Sequence, residues 1–127
     1  MEMSERMAGA RRALAKLHEL AVKDELTEVE RDALIQRFEF CFEIMWKCGK
    51  DYLLQAEGME AASPKKVIRV LREVGIFDDA ETEKALKMAD DRNLTAHTYD
   101  EQLAKEMAVR IAGYEPLLQI WWQRLVL

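Results

Sequence analysis

From about Ser4 to Lys23 the apolar residues Met7, Ala10, Leu14, Leu17 and Ala21 recur at steps of three and four, separated by Arg, Lys and Glu. That period predicts an amphipathic first helix. Thr27 followed three residues later by Glu30 forms a capping box, in which each side chain satisfies the other residue's free backbone donor, so a second helix is expected to start there. Phe38, Phe40 and Phe42 alternate as the residues of a half-buried strand would. The longer pattern opposes a strand: Leu34, Phe38, Cys41, Met45, Gly49, Tyr52 and Leu53 keep the helical period, and no Gly or Pro stands between Thr27 and Cys48. The segment is therefore expected to be a helix of about seven turns, apolar on more than one side. Such a helix needs a central place in a bundle or a partner subunit to cover it, and a homodimer is expected. The three phenylalanines are read as packing residues, within the bundle or between subunits.

Gly58 to Ala62 reads as a loop, and Ser63-Pro64 supplies an N-cap and a preset first helical residue for a short third helix that carries Val67, Ile68, Val70 and Leu71 and ends near Gly75. Asp78 and Asp79 can cap a fourth helix running to about Asp91, with Ala80, Ala85, Leu86 and Ala89 inward and Lys84 and Lys87 on the wet side. After Asn93-Leu-Thr-Ala-His97, the segment Thr98-Tyr-Asp-Glu101 has the form of another capping box, opening a helix through Ala104, Met107, Ile111 and Tyr114. Pro116 removes a backbone donor and predicts a kink or break before Leu117, Leu118, Ile120, Trp121, Trp122 and Leu125. The expected fold is all-α: an antiparallel up-and-down four-helix bundle with an extra short helix, homodimeric.

Composition agrees with one domain spanning residues 1–127, since half of the 127 residues are hydrophobic and 34% are charged. Five Gly and two Pro are too few for a many-turned all-β chain. The longest uncharged stretch, Pro116 to Gln123, has eight residues, far short of the roughly 20 that span a bilayer, so no membrane segment is expected. The first residues lack the basic and apolar regions of a secretory signal, and a cytoplasmic location is expected. Cys41 and Cys48, two helical turns apart, are too distant for a mutual disulfide and are read as buried free thiols. A net charge of −5 opposes a general nucleic-acid coat, so any RNA site must be local.

Chemistry-bearing residues are few. No Cys, His or carboxylate cluster has metal-ligand spacing and no Gly-rich phosphate loop occurs, so neither a metal nor a cofactor is expected. His18, on the first helix, is read as a surface residue. His97 differs because it stands at the junction of two helices, five residues after Arg92 and two before Tyr99. A fixed positive charge and a group titrating near neutrality, close to a helix start, suit a phosphodiester. Asp90 and Asp91 are read as the end of a solvated helix face, and Asp100 and Glu101 as favouring the next helix N-terminus.

Arg92-Asn-Leu-Thr-Ala-His97-Thr-Tyr99-Asp-Glu101 resembles the Arg-x4-His-x-Tyr signature of HEPN proteins (higher eukaryotes and prokaryotes nucleotide-binding). Arg37-Phe-Glu-Phe-Cys-Phe-Glu-Ile-Met-Trp-Lys47 with Lys50-Asp-Tyr-Leu53 is similar to the long second helix of the nucleotidyltransferase substrate-binding-protein family, and Ser63-Pro64 with Val67-Ile-Arg69 to its third; the resemblance runs from about residue 5 to 120. It implies a minimal, separately encoded nucleotidyltransferase as partner, a homodimer, and RNA or a nucleotide as ligand. One reading it implies is a metal-independent RNase toxin with Arg92 and His97 as catalytic residues, silenced when AMP is transferred to Tyr99. The other is a non-catalytic substrate-binding subunit of the nucleotidyltransferase. Lys47, Lys50 and Asn93 are the candidate cleft-lining residues.

Overall fold

The computed structural model describes residues 3–126. Its helices are α1 (Glu5–Ala21), α2 (Glu28–Glu57), α3 (Pro64–Glu73), α4 (Asp79–Leu94) and α5 (Glu101–Val126), with one 3-10 turn, Thr95–His97, between α4 and α5. Among the described residues there is no strand, and the Phe38 to Phe42 segment lies within α2.

The helix starts follow from their caps. Ser4 Oγ accepts from Met7 N, Ser63 Oγ from Lys66 N, and Pro64 takes the first helical position of α3. Thr27 with Glu30 forms the expected reciprocal box, and Asp78 with Glu81 forms a second one at the start of α4. Lys23 also pairs with Glu30, and that bond first, then the Thr27 backbone donor, holds the Glu30 carboxyl down at about 2. Gly58 ends α2 at φ 64°, and Gly75 follows α3 at φ 85°; both are left-handed positions where a side chain would be strained.

Two expected boundaries differ. Thr98 does not cap α5: Asp100 does, its Oδ1 accepting from Gln102 N (3.0 Å) and Leu103 N (3.2 Å), while Thr98 Oγ1 turns back to donate to Thr95 O (2.8 Å). Pro116 does not break α5, which runs unbroken through it. Ala112, Gly113 and Pro116 lie on the exposed side, so the carbonyl left without its donor faces water. On the other side the buried Tyr114, Leu117, Leu118, Trp121 and Leu125 continue one apolar face across the proline, and that packing outweighs the roughly 3 kcal/mol that an interior proline costs. In addition, α4 continues to Leu94, one turn beyond Asp91.

Side-chain contacts give the helix directions. Along α1 and α2 the pairs Lys23 with Glu30, Arg37 with the Lys16 carbonyl and Arg6 with Asp51 ascend on one helix as they descend on the other, so these two helices are antiparallel. The same holds for α1 with α5, through Trp122 to Met7 O, Gln119 to Leu14 O and His18 to Glu115, and for α4 with α5, through Arg124 to Glu81 and Arg110 to Asp91. Consequently α2 and α5 run parallel, with Phe38 stacked on Tyr114 and Gly49 facing Trp121. The bundle is the expected up-and-down arrangement of four main helices, with α3 as a short cover on α2 and α4.

The core contains Phe38, Phe42, Met45, Leu53, Ile68, Leu71, Met88, Met107 and Trp121, all but completely buried. Phe40 does not join them, being 59% exposed on the outer side of α2. Cys41 and Cys48 are buried free thiols, and burial pushes each up to about 12. His18 is exposed on α1, as expected, and its Nδ1 lies 2.8 Å from Oε1 of Glu115, which is buried beside Pro116.

Gly49 and Gly113 make opposite demands. A Cβ at Gly49 would stand 2.8 Å from Val67 Cγ1 and 3.1 Å from Leu71 Cδ1, whereas one at Gly113 would meet nothing within 4 Å. Gly49→Ala is expected to lower stability by about 1–2 kcal/mol, overpacking exceeding the gain in helix propensity, and Gly113→Ala to raise it by about 0.5–1 kcal/mol. Urea denaturation of both variants checks the two signs.

Candidate functional site

The junction between α4 and α5 is held from within. Thr95 is buried, and its Oγ1 donates to the Arg92 carbonyl (2.7 Å) while accepting from Arg92 Nη1 (3.2 Å). Thr98 Oγ1 donates to Thr95 O, and Asp100 N donates to His97 O (3.2 Å). Thr95, Thr98 and Asp100 are thus each tied back three residues, and within the tied stretch Asn93, Leu94, Ala96, His97 and Tyr99 are exposed, Tyr99 to 87%. The His97 and Tyr99 rings meet edge to face at 6.3 Å between centroids.

Arg92 reaches towards α2. Its buried Nε lies 3.4 Å from Glu43 Oε1, a charge contact and not a hydrogen bond, and the other Glu43 oxygen accepts from Trp46 Nε1 (3.2 Å). A phosphate reaching Arg92 would therefore compete with Glu43 for its charge. Glu43 also belongs to an open groove of about 760 Å³ between α1 and α2, lined by Phe40, Ile44, Lys47, Arg6 and Asp51 among others. Lys47 thus lies one helical turn along α2 from the partner of Arg92, and Lys50, exposed, is almost one turn further on the same face. Arg92, His97, Tyr99 and Asn93 share the junction; Lys47 reaches it only through Glu43, and Lys50 has no described contact with it.

Residue-type patterns did not single out Glu43, Thr95 or the ion pair beneath the junction. Glu43 carries one signal, its position one turn before Lys47 on the same face of α2. Asp91 was expected on a solvated face and is instead buried, accepting from Tyr114 Oη (2.6 Å) and Arg110 Nη1 (3.0 Å). Burial first, then the bond to Asp91, pushes the Tyr114 phenol well above its usual range. Among the described residues no group of three potential metal ligands occurs, and no helix is long and apolar enough to cross a membrane.

An all-α bundle that displays the Arg92-to-Tyr99 turn between its last two long helices agrees with the fold that the sequence resemblance implies. A family model described as nucleotidyltransferase substrate binding protein like matches residues 5–126, and the chain belongs to that family. Among solved structures, the Thermus thermophilus protein ttk003001694 is 51% identical, with a TM-score of 0.89 over 91% of this chain and 98% of that one. HI0074 from Haemophilus influenzae, described as having the fold of a substrate binding domain of a nucleotidyltransferase, shares the fold at 21% identity and a TM-score of 0.80, over 95% of this chain and 99% of its own. A toxin-antitoxin crystallised with AMP-PNP shares it at 14% identity and a TM-score of 0.74, over 97% and 99% of the two chains. No curated protein matches the chain.

The two tyrosines of the region should separate chemically. Nitration with tetranitromethane needs a phenol that the reagent can reach, and Tyr99 is 87% exposed while Tyr114 is buried and hydrogen-bonded to a carboxylate. Tyr99 is expected to be nitrated first and Tyr114 to stay protected in the native protein, as read by peptide mass mapping.

Proposed function

We propose that this chain is the HEPN component of a two-protein module with a minimal nucleotidyltransferase, acting as a metal-independent endoribonuclease that is silenced by transfer of AMP to Tyr99. The observation that carries the reading is the placement of His97 and Tyr99 side by side, both exposed, on a turn tied down by Thr95, Thr98 and Asp100. His97 takes the proton from a ribose 2′-hydroxyl, the 2′ oxygen attacks phosphorus, and the bond to the 5′ oxygen breaks, leaving a cyclic phosphate. Arg92 offsets the charge that grows on the phosphate oxygens once Glu43 yields it. The leaving 5′ oxygen needs a proton from a second acid, which the His97 of a partner subunit supplies if a two-fold homodimer joins two junctions in one cleft. Lys47, Lys50 and Asn93 would guide the RNA backbone there.

Silencing follows from charge and bulk. The Tyr99 hydroxyl attacks the α-phosphorus of ATP in the nucleotidyltransferase, pyrophosphate leaves, and the adenylyl group places a negative phosphodiester two residues from His97, where it blocks the cleft and repels RNA. The exposure of Tyr99 supports its role as acceptor, because no unfolding is needed to present it.

A second reading, a non-catalytic subunit that presents substrate to the nucleotidyltransferase, is favoured by one specific feature. Arg92 is already paired with Glu43, and the exposed carboxylates Asp90, Asp100 and Glu101 surround the turn, a poor setting for an RNA backbone. Cleavage of mixed RNA in EDTA by unmodified protein decides between the two. His97→Ala is expected to reduce cleavage by about 100-fold or more while the bundle stays folded. Tyr99→Phe should cleave as the unaltered protein does but gain no adenylyl mass when incubated with the nucleotidyltransferase and ATP. Cleavage retained in pure His97→Ala protein would overturn the mechanism, and absence of cleavage by unmodified dimeric protein would favour the presenting subunit.

A further inference from the structure

Asp91 immediately precedes Arg92 in the last turn of α4, yet the two side chains leave the helix in different directions. Asp91 turns to α5, where Tyr114 Oη donates to Oδ2 at 2.6 Å and Arg110 Nη1 to Oδ1 at 3.0 Å. Arg92 turns to Glu43 of α2. The end of α4 is thus gripped from two sides at consecutive residues, and the 3-10 turn bearing His97 starts three residues later, at Thr95, whose hydroxyl is bonded to the Arg92 carbonyl.

A carboxylate at a position only 6% exposed is costly unless both oxygens are satisfied, and here each has a donor. The two turns of α4 before it bury only the apolar Ala85, Met88 and Ala89, so filling space does not require an acid at this place. The donors are placed with equal care. Arg110 and Tyr114 stand one turn apart on α5, and the Tyr114 ring is stacked on Phe38 of α2, centroids 6.0 Å apart and planes inclined by 23°, which fixes the direction of the hydroxyl. The neighbouring carboxylate Asp90 points to solvent and pairs with Lys65 of α3, leaving Asp91 as the acid that joins α4 to α5 here.

We infer that Asp91 is a positioning residue: through its clamp on Tyr114 and Arg110 it sets the register of the α4 end on α5, and with it the direction in which Arg92, His97 and Tyr99 leave the bundle. Its consequence for RNA cleavage rests on the function proposed above; the positioning itself does not. The clamp joins a buried carboxylate to a buried phenol and to an arginine whose side chain is 43% exposed, and the directional bond between the two buried groups holds one register where apolar packing alone tolerates small slides.

Three variants test it. Tyr114→Phe keeps the ring on Phe38 and removes only the hydroxyl donor; Asp91→Ala removes the clamp. Both are expected to retain helical circular dichroism, to lose the nuclear Overhauser contacts between the His97 and Tyr99 rings, and to exchange the Thr98 and Asp100 amides about tenfold faster or more, while amides in the middle of α2 keep their protection. Asp91→Asn, which leaves an acceptor for the Tyr114 hydroxyl, should recover most of both readouts. Where RNA cleavage is present, kcat in Tyr114→Phe should fall about tenfold with KM within about twofold, as displacement of a catalytic group predicts. Unchanged ring contacts and exchange in Tyr114→Phe would overturn the inference even if cleavage is observed, and this variant decides alone should Asp91→Ala not fold. Absence of cleavage by the unaltered protein would count against the ribonuclease reading only, because ring contacts and exchange are read without RNA.

Discussion

Where α2 passes α3 and α5, Gly49 has no side chain, and Val67, Leu71 and Trp121 close over the place one would occupy. That approach lets α2 bury residues from Leu34 to Leu53 against neighbours on several of its sides. The rest of the bundle follows from it. Trp121 reaches this point only if α5 runs straight through Pro116, and Phe38 meets Tyr114 only if α2 and α5 lie parallel. Parallel α2 and α5 place the first turns of α5 beside the first turns of α2, where Lys105 and Ala108 share a groove with Arg31 and Leu34, and the end of α4 meets α2 at Glu43. The junction with Arg92, His97 and Tyr99 therefore owes its position to a contact about two turns along α2 from Glu43.

Much of this could be read from the amino acids. Periodicity and capping residues gave all five helices, because a Ser, Thr or Asp cap followed three residues later by a donor-bearing position acts locally and needs no tertiary partner. Local patterns failed where long-range packing decided. Pro116 looks like a breaker in sequence, but the five buried side chains around it lie on one face of α5 and hold the helix together. Thr98 looks like a cap, but its hydroxyl finds the Thr95 carbonyl and leaves the role to Asp100.

The site was legible in a similar, partial way. The spacing of Arg92, His97 and Tyr99 points to a site only together with the family resemblance, whereas the groups bonded to Arg92 and to its neighbour Asp91 come from elsewhere in the chain. Glu43, Arg110 and Tyr114 are 49, 18 and 22 residues from Arg92, and no short pattern could connect them. The same gap hid the partner of His18: a buried glutamate 97 positions away, at the residue just before the proline. Burial of an acid is a tertiary property, and Asp90 and Asp91 are indistinguishable until the fold sends one to water and the other to Tyr114.

Cys41 and Cys48 are sealed in the interior and kept as neutral thiols by that burial. Peroxide and disulfide reagents react with thiolates, so the native protein offers neither cysteine to them at physiological pH. A shift in redox poise passes over both sulfurs unrecorded, and the nucleophilic groups that the α4–α5 turn exposes include the His97 ring and the Tyr99 phenol but no sulfur.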